Sequence, residues 1–118
     1  MAVAPYEIVK DEMKAKIVKW VLTGTDTEGA PYQSDYPDKS VQMFGTFGGT
    51  VTLEASNEPY GKDDDPPTNY AAVADPWGDP IALTAAGMAP VAPSCNVIRP
   101  RVSVGAVTSV TVLVYMRG

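Results

Sequence analysis

The sequence has no histidine, one cysteine and no long apolar run, and each shortage excludes a class of protein. Without histidine, the usual general base, the commonest metal ligand and every imidazole-containing triad are missing. Cys95 has no second cysteine to pair with, so no disulfide forms within the chain, which favours a reducing compartment. No apolar stretch approaches the roughly 20 residues that a membrane-spanning helix needs. The N-terminal stretch also lacks the apolar core of a secretory signal.

Length, composition and charge favour one small globular domain with many turns. The chain has 118 residues, of which 45% are apolar, and it contains 10 glycines and 11 prolines. The net charge of -5 is unlike that of a general nucleic-acid binder, which is usually basic. Basic residues cluster near both ends, at Lys10 to Lys19 and at Arg99 to Arg117. They either discourage pairing between strand edges or form a positive face for an acidic partner.

Two alternating runs flank the pair Gly48-Gly49. In Val41–Phe47 and in Thr50–Ala55, side chains alternate at period two, which indicates half-buried strands. A Gly-Gly pair supplies the positive φ angles of a tight hairpin turn. We therefore expect these two runs to pair with each other in one sheet.

Several other segments have strand composition, separated by turn residues. Asp75–Gly78, "DPWG", predicts a turn between two short strands. Pro100 cannot donate to a ladder, so its strand should lie at an edge or carry a bulge. The last run has Val and Leu on both faces, which predicts burial on both sides, in a sandwich or against a partner. With about seven or eight short strands, the chain is predicted to be an all-β antiparallel sandwich. The runs are Ala15–Leu22, Tyr70–Ala74, Ile81–Thr84, Asn96–Val104 and Val107–Met116.

The first 14 residues are assigned as an N-terminal arm, and residues 15–118 as the single β-sandwich domain. Pro5 and the few apolar side chains make a stable isolated helix improbable. Tyr6, Ile8 and Val9 would be solvent-exposed on a mobile arm, so we expect them to contact a partner. The alternative is that this segment is the first strand or a packed turn of the same domain.

Catalytic and metal-binding roles have little support in the sequence. Cys95 is more typical of a small buried hydrophobe than of a nucleophile. Asp63, Asp64 and Asp65 lack the alternating ligands and distal Glu of a calcium loop, so a solvated loop is favoured. No pair of carboxylates stands out for glycoside hydrolysis. We predict no catalytic, cofactor-binding or metal-binding residue, and no enzyme activity.

The ordered set of motifs resembles that of small virion proteins of tailed bacteriophages. The motifs are "DKSVQMFGTFGGTVTLEASNE" (Asp38–Glu58), "ADPWGDPIALTAAGM" (Ala74–Met88) and "VIRPRVSV" (Val97–Val104), and the similarity covers residues 17–116. The resemblance implies a jelly-roll-like capsid cement or decoration protein, docked on the outside of the phage head between major capsid subunits. It also implies a homo-oligomer, dimer or trimer, located on the virion exterior after assembly in the host cytoplasm. Neither nucleic acid nor membrane is an expected partner.

A second resemblance is to discoidin-like sugar-binding jelly rolls, which gives a carbohydrate-binding module as the alternative function. Such proteins stack exposed aromatic rings on sugars, and Trp77 at a turn tip is the candidate. Tyr60 and Tyr70 could join it in an aromatic cluster. The other interpretation of Trp77 is that its ring covers an edge of the sandwich.

Overall fold

The computed structural model describes residues 2–33, 36–60, 66–92 and 95–118, and these form strands, turns and loops without a helix. The predicted all-β sandwich is confirmed. Since the described residues hold no long apolar helix, none of them forms a helical membrane span. The described strands are β1 (Ala2–Ala4), β2 (Glu7–Glu12), β3 (Ala15–Thr23), β4 (Asp26–Gly29), β5 (Tyr32–Gln33), β6 (Asp38–Thr46), β7 (Gly49–Ser56), β8 (Ala71–Ala72), β9 (Ala82–Leu83), β10 (Gly87–Val91), β11 (Val97–Gly105) and β12 (Ser109–Arg117).

The strands form two sheets that pack face to face. The five-stranded sheet has the order β10-β6-β12-β3-β2, and all its neighbours are antiparallel. The second sheet has the order β1-β4-β11-β7-β8, with β5 also on β11 and β9 also on β7. Only its β1–β4 pair is parallel among the described pairings. The two longest ladders join β12 to β3 and to β6, which are distant from it in sequence.

The hairpin expected across Gly48-Gly49 is wrong, although both runs are strands. β6 pairs with β10 and β12, whereas β7 pairs with β8, β9 and β11 in the other sheet. Neither glycine has a positive φ angle. A Cβ on Gly49 would lie 2.1 Å from the carbonyl oxygen of Val104, and one on Gly48 would lie 2.7 Å from that of Ala106. The glycines thus permit close backbone approach where the chain crosses between sheets.

The alternating strands bury one row of side chains each between the sheets. In β3, Val18, Trp20 and Leu22 are buried, while the residues between them are only partly covered. Trp20 also donates its indole Nε1–H to the carbonyl oxygen of Ala30 at 2.9 Å. The largest fully buried side chains are Trp20, Leu22, Met43, Leu53, Ile98 and Met116. This apolar interior holds the two sheets together.

Pro100 lies in a strand that has neighbours on both sides. On one side β11 pairs with β7, where Pro100 lies opposite Leu53 and the register shifts between Val102 and Val104. On the other side β11 pairs with β5 only at Val97 and Ile98, and with β4 only at Arg101. Pro100 falls in the gap between these two partners, where no backbone donor is required. Of the two expectations for this strand, the edge position is not observed, and the register irregularity of β11 lies between Val102 and Val104 rather than at Pro100.

The N-terminal segment is paired within the sandwich along most of its length. β1 pairs with β4, and β2 pairs with β3 as an edge of the five-stranded sheet. The ring of Tyr6 meets those of Trp20 and Tyr32 edge to face, with centroids 6.5 Å and 5.0 Å apart. This arrangement corresponds to the alternative of a first strand, while a role of the segment in partner binding stays a prediction.

The turn predicted at Asp75–Gly78 is confirmed. Gly78 has a φ angle of 90° and its N–H donates to the carbonyl oxygen of Asp75 at 3.0 Å. The flanking strands are shorter than expected, and both β8 and β9 pair with β7. An isolated bridge between Ala74 and Pro80 joins the two sides of the turn, and the Asp75 carboxylate accepts the backbone N–H of Asp79 at 3.0 Å.

Candidate functional site

The outer side of the five-stranded sheet carries an apolar surface, called here the apolar face. Its register is set by β12, because Tyr115 lies opposite Ile17 on one side and Ser40 on the other. Two residues earlier, Leu113 lies opposite Lys19 and Gln42. The apolar face comprises Ile17, Val21, Phe44, Met88, Leu113 and Tyr115.

Side chains of the apolar face remain open to solvent. Met88 is 67% exposed, Phe44 41% and Tyr115 39%. A depression of about 100 Å³ lies at its centre and is lined by Ile17, Ser40, Gln42, Met88, Leu113 and Tyr115. Solvent-facing rows of antiparallel sheets are usually polar. The apolar side chains here are interleaved with Ser40, Gln42, Thr111 and Lys19, and Met88, Phe44 and Tyr115 are the most exposed of them.

Charged side chains of both signs border the apolar face. At one edge, Lys19 Nζ lies 4.0 Å from a carboxylate oxygen of Glu7. At one end, Asp38 and Arg117 lie opposite each other on β6 and β12. Polar groups thus border the apolar side chains and also lie among them, since Lys19 and Gln42 flank Leu113.

The outer side of the other sheet carries an ion-pair network, called here the ion-pair face: Glu28, Glu54, Arg99 and Arg101. Arg99 lies directly opposite Glu54 on β7, and Arg101 lies opposite Glu28 on β4. Arg99 reaches Glu54 at 3.2 Å and Glu28 at 3.3 Å, and Arg101 Nε reaches Glu54 at 3.0 Å. The side chains of Glu54 and Arg99 are 10% and 18% exposed, so this central pair is shielded from water, whereas Arg101 is 41% exposed. Its charges are used within the chain, so Arg99 and Arg101 do not form a free positive surface.

Tyr70 covers the ion-pair face. The guanidinium carbon of Arg99 lies 3.7 Å from the centre of the Tyr70 ring, a close cation–π contact. The Tyr70 hydroxyl is buried and has no hydrogen-bond partner among the described residues. Burial raises the pKa of this phenol, and the charge of Arg99 opposes that shift.

The loop that carries Tyr70 is fastened at its base. The carboxylate of Glu58 accepts the backbone N–H groups of Thr68 at 3.1 Å and Asn69 at 3.0 Å, and these bonds lower the pKa of Glu58. Asn96 donates its side-chain amide to the carbonyl oxygen of Glu58 at 2.8 Å. Its backbone N–H donates to the side chain of Asn57 at 3.1 Å. These contacts tie both ends of the loop to the sheet.

Cys95 and Lys39 lie near one end of the sandwich. Lys39 is buried and donates from Nζ to the carbonyl oxygen of Tyr36 at 2.6 Å. Burial raises the pKa of the Cys95 thiol, and the nearby charge of Lys39 opposes the shift. A raised pKa keeps a thiol protonated and weakly nucleophilic at neutral pH. Cys95 also lines a groove of about 280 Å³ with Ala55, Ser56, Asn57 and residues 71–74.

A second groove, of about 320 Å³, lies where β1 leads into β2. Its walls are Pro5, Tyr6, Glu7, Lys19, Val21, Thr23 and Asp26. Glu7 and Lys19 are already paired with each other there.

No cluster of three or more His, Cys, Asp or Glu side chains that could hold a metal occurs among the described residues. Asp63, Asp64 and Asp65 lie outside the described part of the chain.

The structure does not bring the candidate residues from the sequence into one site. Ile8 and Val9 lie on the edge strand β2, exposed at 42% and 54%, and Tyr6 is 42% exposed although its ring contacts those of Trp20 and Tyr32. Trp77 is exposed at its turn tip, away from any ring contact within the described residues. Sequence reasoning missed the apolar face as a site. Its only sequence signal was the apolar content on both faces of Val107–Met116.

Comparison with known proteins adds information about the fold. No protein-family model matches the chain, and no curated protein matches it. It is similar to the crystal structure of a cupin domain from Bordetella pertussis Tohama I, with a TM-score of 0.51 and 15% identity over 98% of this chain and 93% of that one. It also matches a cupin-2 domain containing protein from Shewanella frigidimarina NCIMB 400, with a TM-score of 0.39 and 12% identity over 96% of this chain and 79% of that one. At these identities the likeness shows a jelly-roll-type fold alone.

The resemblance to phage capsid decoration proteins is wrong. The solved structure that resembles the chain at a TM-score of 0.51 is a cupin domain rather than a capsid protein, and no sequence match points to a phage protein. The predicted role as a capsid cement protein, which depended on this resemblance, is therefore wrong as well, and the sugar-binding alternative has no better support. The motifs that carried the resemblance are turn and strand signals, which unrelated β-sandwiches also need. The location on a virion and the major capsid protein as partner had no other basis.

Proposed function

We propose that the chain is a non-catalytic protein-binding module that acts through the apolar face. The observation that carries this proposal is the group of exposed apolar side chains on neighbouring strands, Met88 on β10, Phe44 on β6 and Tyr115 on β12. Phe44, Tyr115 and Met88 belong to the residue types enriched at the centres of protein interfaces. The depression between Met88, Leu113 and Tyr115 offers a place for a partner side chain.

The other regions of the molecule favour binding over catalysis. The inner rows of both sheets are filled with apolar side chains, so the interior offers little room for a polar substrate. The Cys95 thiol is kept protonated by burial, which suits a packing role. The ion-pair face already satisfies its own charges. The apolar face remains as the candidate site, and it would bind a partner through contact area and shape complementarity.

A protein fits the apolar face better than nucleic acid or a lipid surface. The chain has a net charge of -5, which repels phosphate backbones and anionic headgroups. The border of the face carries Glu7 and Asp38 beside Lys19 and Arg117, so neither sign dominates it. Exposed aromatic and methionine side chains among polar groups and charges of both signs are suited to another folded polypeptide.

Site-specific photo-cross-linking in producing cells tests the proposal. A benzophenone amino acid is placed at position 115, in the apolar face, and in a separate variant at position 77, in the exposed turn. Position 115 should give a discrete cross-linked protein band that is identified by mass spectrometry. Trp77 is the matched control, because at 78% exposed it is more accessible than Tyr115 and should still give no discrete product. Equal labelling at both positions, or no protein adduct at position 115, would contradict the proposal.

A further inference from the structure

We infer that the apolar face binds the apolar face of a second copy of this chain, giving a two-fold symmetric, face-to-face dimer. The inference rests on the proposed function and names its partner. Three properties of the described sheet carry it: its edges, which are protected against pairing with another strand, the central position of β12, and the size and charge of the face.

Both edges of the five-stranded sheet discourage pairing with another strand. The edge strand β2 has a register shift between Ile8 and Lys10 and ends in charged residues. The opposite edge strand, β10, contains Pro90, which has no backbone N–H to donate. Bulges, charges and prolines are the usual protections of sheet edges. Association by extending the sheet is therefore disfavoured, and the open surface of this sheet is its face.

The position of β12 suits a two-fold axis. β12 is the third of five strands, so it runs along the middle of the face, with β6 and β3 on either side. A two-fold axis in the interface near Leu113 would bring the two β12 strands together at the centre. Each copy would then contribute the same rows of side chains, as an isologous interface requires.

The area of the face matches what a stable dimer needs. Strands β3, β6 and β12 are each nine residues long. Nine residues of strand span about 30 Å, and five strands spaced about 4.8 Å apart cover a width of about 20 Å. The whole outer side of the sheet, its charged border included, therefore offers about 600 Å² per copy, and two copies would bury about 1,200 Å², which is the lower end of standard interfaces.

The charges on the border permit a second copy in spite of the chain's net charge. A chain with a net charge of -5 repels its own copies at long range. Around the apolar face, however, the basic and acidic side chains are equal in number: Lys10, Lys19 and Arg117 against Glu7, Glu12 and Asp38. A strongly acidic or basic partner would favour a border of one sign, whereas a self-complementary border contains both.

Sedimentation velocity of the purified chain over a range of concentrations tests the inference. The wild-type chain should shift from monomer towards twice the monomer mass as concentration rises. The variants Phe44→Lys and Tyr115→Lys should weaken the association at least about tenfold, because each places a charge inside the buried centre. The variants Trp77→Lys and Val104→Lys make the same change of charge at exposed positions outside the face, and should stay within about twofold of wild type. Circular dichroism verifies that each variant is folded.

A charge-swap pair tests the two-fold arrangement. Leu113→Lys and Leu113→Glu should each abolish association alone, because equal charges would meet across the axis, and their mixture should restore it. A mixture that stays monomeric, a wild-type chain that stays monomeric, or control variants as weak as the face variants would each overturn the inference. If the wild type is monomeric but position 115 cross-links to a different protein, only the second-copy inference fails. If position 115 gives no protein adduct either, the proposed function fails with it.

Discussion

The two outer faces of the sandwich have the same alternation of side chains but different surroundings. On the seven-stranded sheet, Thr52, Glu54 and Ser56 point outward from β7 and are nevertheless buried. On the five-stranded sheet, Phe44 and Tyr115 point outward and remain exposed. The ion-pair face is thus covered by its own chain, whereas the apolar face is left open. Burial on the outside of this fold follows from what lies above each sheet, rather than from the hydrophobicity of the row.

Register explains how the ion-pair face is satisfied within the chain. Arg99 lies directly opposite Glu54, and the neighbouring strand supplies Glu28 at hydrogen-bonding distance. Shielded ion pairs contribute little net stability relative to apolar packing, but removing one partner leaves an uncompensated charge. The network lies across β4, β7 and β11, so the loss of one of its members should lower the free energy of unfolding.

The largest expected change in the free energy of unfolding follows from removing the carboxylate of Glu54, at the centre of the ion-pair face. Glu54→Ala should lower the free energy of unfolding by about 3 kcal/mol, because two guanidinium groups lose a shielded partner. Glu54→Gln is the control for shape, and should cost about 1–2 kcal/mol because it retains a hydrogen-bond acceptor. Urea unfolding monitored by tryptophan fluorescence measures both. A loss below about 0.5 kcal/mol for Glu54→Ala would show that the network does not matter for stability.

The next effect concerns the cover over Arg99. Tyr70→Ala should lower the free energy of unfolding by about 1–2 kcal/mol through loss of ring packing and the cation–π contact. Tyr70→Phe keeps the ring and removes a hydroxyl that has no partner among the described residues, so stability should stay within about 0.5 kcal/mol of wild type or rise. Thermal and urea unfolding of the pair separate the two contributions. Equal losses in both variants would instead mean that the hydroxyl carries the interaction.

A smaller, local effect should follow pH at the base of the loop. The folded-state pKa of Glu58 is lowered by its bonds to the backbone of Thr68 and Asn69. Its contribution is therefore fully present above the unfolded pKa of about 4.3 and is lost as the pH falls through the lower folded-state value. Hydrogen exchange of the Thr68 and Asn69 amides, corrected for intrinsic rates, should lose protection in that acidic range. Glu58→Gln should show weak protection at every pH, and unchanged pH dependence in that variant would exclude this carboxylate as the cause.

The smallest expected effect is the stability change on the open side. Phe44→Lys should change the free energy of unfolding of the monomer by less than about 0.5 kcal/mol, because its side chain leaves no core cavity. Urea unfolding at low concentration, where a dimer would be dissociated, measures this value. A loss as large as that of Glu54→Ala would show that Phe44 supports the fold, and the contrast between the two faces would disappear.

Strand positions could be predicted from the sequence because the period-two pattern acts locally. The alternation in Val41–Phe47 and Thr50–Ala55 correctly indicated strands, and the turn residues of Asp75–Gly78 correctly indicated a turn. Pairing could not be predicted in the same way. A Gly-Gly pair suits both a tight turn and a close backbone crossing, and only the position of Gly105 and Ala106 distinguishes them.

The candidate site required register, which the sequence alone does not contain. Arg99 and Glu54 are 45 residues apart, and their contact depends on the alignment of β7 with β11. The apolar face likewise gathers Met88, Phe44 and Leu113 from three strands. Its outward orientation was partly visible in the apolar content on both sides of Val107–Met116. Ordered turn motifs proved uninformative about function, since any sandwich needs similar turns at similar spacing.

The crossing at Gly48-Gly49 has a consequence for the timing of folding. Because β6 and β7 enter different sheets, no hairpin at this point can nucleate either sheet. The central strand β12 is synthesised after both of its neighbours, β3 and β6, so these two strands expose unpaired edges until it emerges from the ribosome. Chains dominated by such distant pairings fold in about milliseconds to seconds rather than microseconds. During this interval the unpaired strand edges of the nascent chain can pair with those of other chains. The yield of native protein should therefore fall as the concentration of nascent chains rises.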